Sequence, residues 1–240
     1  MKSFKKILDN KKLNCIHASI HGKGEDIVME NEYQDKSKEN FALSNKLTNH
    51  YKFDTVSKHG AVYAYTRNSE PYNSHLWAEH HKKDNPSWSQ FNMLEGKKTI
   101  KHLDSVLKSH SSPEDMHVYS STIHDPRALK NDQGIVHHPA YLSTSIYKPV
   151  AMNRDINSRE DMKTGDFHHH VLDIHVPKGS PGAYVNHVSK YPGEYEHILP
   201  RGSNLKYHST ETIAKKFNNY RTEKTAHNYT HIHKMELIND

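Results

Sequence analysis

Apolar residues recur at helical spacing through the first half of the chain and in short strand-like runs through the second. Phe4, Ile7 and Leu8 allow a short amphipathic segment within about Ser3 to Leu13, and residues 23–40 are polar and charged, a loop pattern. From Glu39 to Ala64 the positions Phe41, Leu43, Leu47, Tyr51, Phe53, Val56 and Val62 approximate a 3.6-residue period, with Gly60 predicted to break the segment in two. Thr66 to Pro71 reads as a turn, Pro71 being suited to the first turn of the helix that follows. A third helix is predicted over Asn92 to Ser109, with Met93, Leu94, Ile100, Leu103, Val106 and Leu107 on its buried side.

The pattern changes at Met116. MHVYSS, AYLSTSIY, HHVLDIHV, GAYVNHV, YEHIL and NLKYHST are β-branched or aromatic runs separated by Pro, Gly, Asn and Asp, and NYTHIHKMELI alternates enough to close a sheet. Helices first and strands after predict an α+β fold. The expected organisation is one domain over 1–240, a helical half to 115 and a β-rich core from 116. The apolar stripes of the helices need a cover, which the strands are expected to supply.

Composition narrows this. Only 33% of residues are apolar, so the core should be thin and many strands wet on one face. No run approaches the ~20 apolar residues of a membrane span, which argues against a membrane partner. The basic N-terminus lacks the apolar stretch of a secretory signal and is read as part of the mature chain. A single cysteine, Cys15, excludes an internal disulfide framework. A net charge of +5 with 23 histidines favours polyanionic partners: a dinucleotide, nucleic acid or an acidic protein.

Candidate chemistry concentrates in YPGEYEHILPRGS, Tyr191 to Ser203, where Glu194 and Glu196 stand one residue apart. On a strand, residues i and i+2 share a face, so both acids are expected to enter one cleft. Upstream lie Ser143-Thr144-Ser145, an aromatic strand at Tyr119, and YTRNSEPYNSHL, Tyr65 to Leu76.

In this order the motifs resemble the mono-ADP-ribosyltransferases of the Arg / Ser-Thr-Ser / Glu-x-Glu type, including clostridial binary-toxin enzymes and T-even phage enzymes. The resemblance covers roughly residues 57 to 210. It implies N-terminal helices packed on a split two-sheet antiparallel β-sandwich, with NAD as co-substrate and no metal. It also implies that Glu196 is the catalytic acid, that Glu194 orients or deprotonates the nucleophile, and that Ser143 holds Glu196 in place. Glu at position 194 goes with arginine as acceptor. Thr144, Ser145, Tyr147 and Asn73 are expected around the cofactor, and Tyr191 at the target protein. The residue types suit the chemistry. Cleaving the nicotinamide–ribose bond passes through an oxocarbenium-like state, which a fixed carboxylate near the ribose stabilises.

One departure stands out. Relatives place an arginine after the first-strand tyrosine, whereas this chain reads Tyr119-Ser120-Ser121. With Tyr119 and Ser120 lining the dinucleotide site, Arg127 is the nearest substitute for the pyrophosphate contact, and Arg67 the next. His168-His169-His170 and His137-His138 are discounted as metal ligands because consecutive strand residues point to opposite faces. His231 and His233 share a face but lack further ligands at a convincing spacing. Neither a phosphate loop nor a dinucleotide-fold fingerprint is present.

The expected function is NAD-dependent transfer of ADP-ribose to an arginine of a bacterial host protein, one associated with nucleic acid in keeping with the basic charge. NAD-bearing RNA is a further substrate class, carrying the NAD that would be cleaved. A phage-encoded enzyme in the host cytoplasm is expected. The alternatives are a secreted toxin-type transferase and a silent module binding NAD or nucleic acid.

Overall fold

The computed structural model describes residues 41–82, 93–153, 158–219 and 224–239. The segments expected at 3–13 and 23–40 lie outside them. Residues 44–240 form one compact unit, which holds every strand and every site residue discussed below; of the other unit, 1–43, residues 41–43 are described and are helical.

Helical residues 41–50 (α1) are followed by α2 (Val56–Arg67), α3 (Glu70–His80) and α4 (Met93–Ser109). The break between the first two falls at 51–54, not at Gly60. Thr55 caps α2 by accepting the Lys58 N–H, and Gly60 sits mid-helix with open space where a Cβ would be. Pro71 occupies the first turn of α3 as expected. On α4, Ile100, Leu103, Val106 and Leu107 are buried, whereas Leu94 is 65% exposed: with 3.6 residues per turn its position points to the opposite side of the helix from that stripe.

The strands are β1 (Met116–Thr122), β2 (Ile135–His138), β3 (Leu142–Ser145), β4 (Arg159–Glu160), β5 (Phe167–Val176), β6 (Ala183–Tyr184), β7 (Glu196–Leu199), β8 (Ser203–Asn219) and β9 (Lys224–Ile238), with a five-residue helix α5 (Lys148–Met152) after β3. Among the described residues they pair in the order β2-β8-β9-β5-β1-β3-β7-β6, with β4 on β5. Every pairing is antiparallel except β5 with β9, which is parallel. The result is the helix-then-sheet α+β architecture expected from the pattern. β8 and β9 run further than their apolar content predicts because they pair with each other along their whole length, through the polar stretch at 211–219.

Side chains from both halves share one core. Leu47, Tyr51, Val62, Tyr65 and Leu103 from the helices and Val118, Ile174, Ile198 and Leu199 from the strands are all fully buried. A polar pin joins the layers. Tyr141 donates its hydroxyl to Asp104 Oδ1 at 2.6 Å, and Arg201 grips the same carboxylate through Nε (3.0 Å) and Nη2 (2.9 Å). The arginine of the Pro-Arg-Gly motif therefore ties the β7–β8 turn to α4. Such fork-shaped charge-assisted pairs fix orientation as well as distance.

Candidate active site

Glu196 opens β7. Across the ladder it faces Ser145 of β3, which in turn faces Tyr119 of β1. Its side chain is 5% exposed, so the carboxylate lies at the floor of a narrow cleft of about 30 Å³. β1 contributes Tyr119, Ser120 and Ser121 to that cleft, β3 contributes Ser143, Thr144 and Ser145, α5 contributes Val150 and Ala151, and Glu194 lines it together with Glu196.

Glu194 reaches the cleft by a route that strand alternation does not describe. It ends a 3₁₀ turn, Pro192–Glu194, and the strand begins only at Glu196. Tyr195 between them is left-handed, with φ 50° and ψ 45°. Its N–H donates to Asn186 Oδ1 (3.1 Å), and its carbonyl accepts the Ile146 N–H (3.1 Å). A left-handed non-glycine residue costs on the order of 1–2 kcal/mol and persists where its surroundings hold it. With Tyr195 in that conformation, Glu194 and Glu196 both line the cleft.

Ser143 and the helical layer meet at the cleft edge. Ser143 Oγ is 3.1 Å from the Tyr65 hydroxyl of α2, and Asn73 Nδ2 of α3 donates to that hydroxyl at 3.2 Å. Burial, reinforced by the nearby charge of Glu196 and opposed by the Ser143 and Asn73 hydrogen bonds, pushes the Tyr65 phenol well above its usual range. It stays protonated and available as a donor. Asn73 Oδ1 is buried without a hydrogen-bond partner among the described residues.

The remaining hydroxyls brace the strands. Ser120, standing where relatives carry arginine, donates to the Ser143 carbonyl at 2.9 Å and stitches β1 to β3. Thr144 donates to the His197 carbonyl at 2.6 Å, and Ser145 Oγ accepts the Tyr147 N–H at 2.9 Å. The Tyr147 ring packs edge-on against Tyr195, 5.8 Å between centroids. Burial, with the charge of Asp173, pushes the Tyr119 phenol up to about 12.

The predicted residues do not all converge. Glu194, Glu196, Tyr119, Ser120, Ser143, Thr144 and Ser145 line the cleft; Asn73 reaches it through Tyr65. Tyr147 packs on the loop beside it, and Tyr191, 48% exposed, stands at the start of the 3₁₀ turn. Arg127 is not brought to the cleft. Its guanidinium forks onto Asp125, Nε to Oδ1 at 2.9 Å and Nη2 to Oδ2 at 2.7 Å. Arg67 is exposed at the end of α2.

A larger cavity of about 350 Å³ lies elsewhere, lined by residues including Leu76, Glu79, Asp104, Leu107 and Arg201. Its Asp104 is committed to Arg201 and Tyr141. The narrow cleft, with two acids among its lining residues, is the chemically equipped one.

Sequence reasoning passed over two features. His197, the residue after Glu196, is fully buried with both ring nitrogens unpaired among the described residues, and burial pushes its pKa down to about 3. Gly182 makes room for it: a Cβ there would meet His197 Cε1 at 2.7 Å. The second is a histidine cluster. Metal ligation was discounted on spacing within single strands, but the parallel pairing of β5 with β9, plus the loop after β1, brings Asp125, His170 and His233 within 4.8 Å of one another. Only the sheet order reveals that convergence.

Residues 30–235 match the ADP-ribosyltransferase exoenzyme family, and the chain belongs to it. The chemistry of that class is transfer of an ADP-ribosyl group. No curated protein matches the chain by sequence. Among solved structures, the Clostridium limosum C3 exoenzyme is 18% identical with a TM-score of 0.54, covering 84% of this chain and 94% of that one. C3stau2 from S. aureus, solved with NAD, is 18% identical with a TM-score of 0.53 over 84% and 95% of the two chains. Vis toxin, an ADP-ribosyltransferase from Vibrio splendidus, is 16% identical with a TM-score of 0.54 over 95% and 91%. At these identities the likeness establishes the fold. No helix among the described residues is long and apolar enough to cross a membrane.

Proposed function

We propose that the chain transfers ADP-ribose from NAD to an arginine side chain of a protein, releasing nicotinamide. The observation that carries this reading is that Glu194 and Glu196 both line the one serine-lined cleft. NAD as donor is supported by family membership and by the NAD bound to C3stau2.

The chemistry follows from the two environments. Glu196 is buried in the strand ladder, so its carboxylate is held in place before substrate arrives. Set against a ribose hydroxyl, it stabilises the positive charge that grows as the C1′–nicotinamide bond breaks and its electron pair leaves with the ring. Ser143, anchored by Tyr65, lines the same floor and limits the rotamers open to Glu196. Glu194 is half-exposed at the mouth, where an incoming guanidinium would pass. It accepts the guanidinium proton as the nitrogen bonds to C1′, the role of a general base. Ser120 leaves the pyrophosphate without the arginine that relatives place on this strand.

The exoenzyme family and neighbours named as toxins favour a toxin-type transferase over a phage-encoded one. The net charge of +5 supports an acidic or nucleic-acid-associated target. Incubation with labelled NAD and either an arginine-bearing acceptor such as agmatine or an acceptor lacking guanidinium tests the proposal. Label on agmatine alone is expected. Label only on other acceptors would remove arginine specificity, and binding of NAD with neither transfer nor hydrolysis would mark a silent module.

A further inference from the structure

β5 and β9 run parallel and in register, so His168 and His170 on one strand stand beside His231 and His233 on the other. The four rings form a stack. His168 Nδ1 lies 3.0 Å from His231 Nε2, and His170 Nδ1 lies 2.9 Å from His233 Nε2. Ring planes within the stack tilt by 3° to 21° across the three inter-strand contacts. From the next strand, β8, Thr210 Oγ1 holds His233 Nδ1 at 2.7 Å and Thr212 Oγ1 holds His231 Nδ1 at 2.9 Å. The loop after β1 brings the Asp125 carboxylate to the His170–His233 end of the stack.

We propose that Asp125, His170 and His233 bind a divalent transition-metal ion of the zinc class, at a site separate from the Glu196 cleft. The donors are two imidazole nitrogens and one carboxylate oxygen, a set suited to zinc or cobalt with a fourth position left for water. Two nitrogens on a tetrahedral zinc centre lie about 3.3 Å apart, given bonds of about 2.0–2.1 Å. The 2.9 Å between His170 Nδ1 and His233 Nε2 has only to widen by a few tenths of an ångström. Thr210 fixes His233 so that Nε2, not Nδ1, faces the site, the orienting role that partners of metal-bound histidines play. As the ion enters, the proton shared between the two nitrogens moves from His170 Nδ1 to His170 Nε2, leaving two neutral ligands.

Arg127 bears on affinity in both directions. It orients the Asp125 carboxylate, yet its positive charge sits beside the ion. A carboxylate offers about four lone-pair sites, so the fork leaves room for a metal bond. What the ion would do is mechanical: it ties the β1 loop to β5 and β9, and through Thr210 to β8.

Chelator-treated protein titrated with Co²⁺, read by its visible d–d absorption, and with Zn²⁺ by equilibrium dialysis decides the matter. One site per chain is expected to stand out from weak binding by the other histidines. Asp125→Asn, isosteric and in a loop, should weaken it at least tenfold, His233→Gln should abolish it, and Thr210→Val should cost about 10–100-fold. His137→Gln, away from the stack, should leave it unchanged. Zn²⁺ should also raise the melting temperature of the wild type and not that of Asp125→Asn, a readout that does not depend on the His233 variant folding. Equal affinities in wild type, Asp125→Asn and His233→Gln, or no site stronger than the background, would show the stack to be a hydrogen-bonded ladder and overturn the proposal.

Discussion

The Glu196 cleft and the histidine stack are both polar clusters embedded in one sheet, and they are built in opposite ways. The cleft draws on antiparallel neighbours β1, β3 and β7, whose motifs are contiguous in sequence: Tyr119 to Ser121, Ser143 to Ser145, Glu194 to Glu196. Its serine and threonine hydroxyls bond to backbone, to Tyr65 and to His169, and two acids line the same space. The stack depends on the parallel pairing of β5 with β9, and its residues lie 63 positions apart. Its imidazoles satisfy each other. Under the function proposed above, one region would stabilise positive charge that arises in a reaction, and under the metal proposal the other would hold neutral nitrogen donors in line.

The largest separation between the regions should come from Glu196→Gln. Removing a preorganised electrostatic group typically costs ~10²–10³ in rate. NAD hydrolysis and ADP-ribosyl transfer should fall together while Co²⁺ binding stays as in the wild type. Near-normal rates would strip Glu196 of its role. Glu194→Gln should be more selective. Transfer to agmatine should drop by roughly 10²-fold, as for loss of a general base, with hydrolysis reduced less because water needs less positioning than a guanidinium. Equal losses would make Glu194 a general support of the site.

His197 sharpens the contrast through pH. Its folded pKa of about 3 lies below its unfolded value near 6.5. The unfolded chain therefore takes up the proton first. The stability this neutral ring contributes is complete above about pH 6.5 and is lost as pH falls toward 3. His197→Leu removes an unpaired buried imidazole and should melt at or above the wild-type temperature at pH 7. Its melting point should also fall less than that of the wild type between pH 7 and pH 4.5, when followed by circular dichroism. The slope that remains in the variant would report the other histidines that burial holds down, those of the stack together with His75, His138 and His187. Identical slopes would mean that His197 takes no part in acid sensitivity.

The smallest effect is expected from Tyr65→Phe, which deletes the hydroxyl between Ser143 and Asn73. A neutral hydrogen bond contributes about 0.5–1.5 kcal/mol net. The rate of NAD hydrolysis should fall by no more than about tenfold, with metal binding untouched. A loss as deep as that of Glu196→Gln would place the phenol in the chemistry itself.

Much of the cleft can be read from the order of residues because each of its walls is a short local motif. Helical periodicity located α4, turn residues located Pro71 at the head of α3, and the Glu-x-Glu spacing marked the two acids. The reason for their convergence could not be read the same way. Strand alternation would have placed Glu194 and Glu196 on one face, yet Glu194 precedes the strand, and the left-handed Tyr195 between them is held by Asn186 and Ile146 from elsewhere in the chain. Arg127 looked available for a phosphate because sequence proximity to Tyr119 says nothing about Asp125 claiming its guanidinium two residues away.

Local pattern thus determined the helix-to-strand order, the identity of the acids and the family. Periodicity, turn chemistry and motif spacing act over a few residues and survive in one dimension. The register of β5 on β9, the burial of His197 against Gly182 and the Arg201–Asp104 pin were decided by tertiary structure alone. Each joins groups between 15 and 97 positions apart, counted from their residue numbers. At such separations only the packing of the sheet and helices sets which side chains meet, and so where charge and metal-binding nitrogen are gathered.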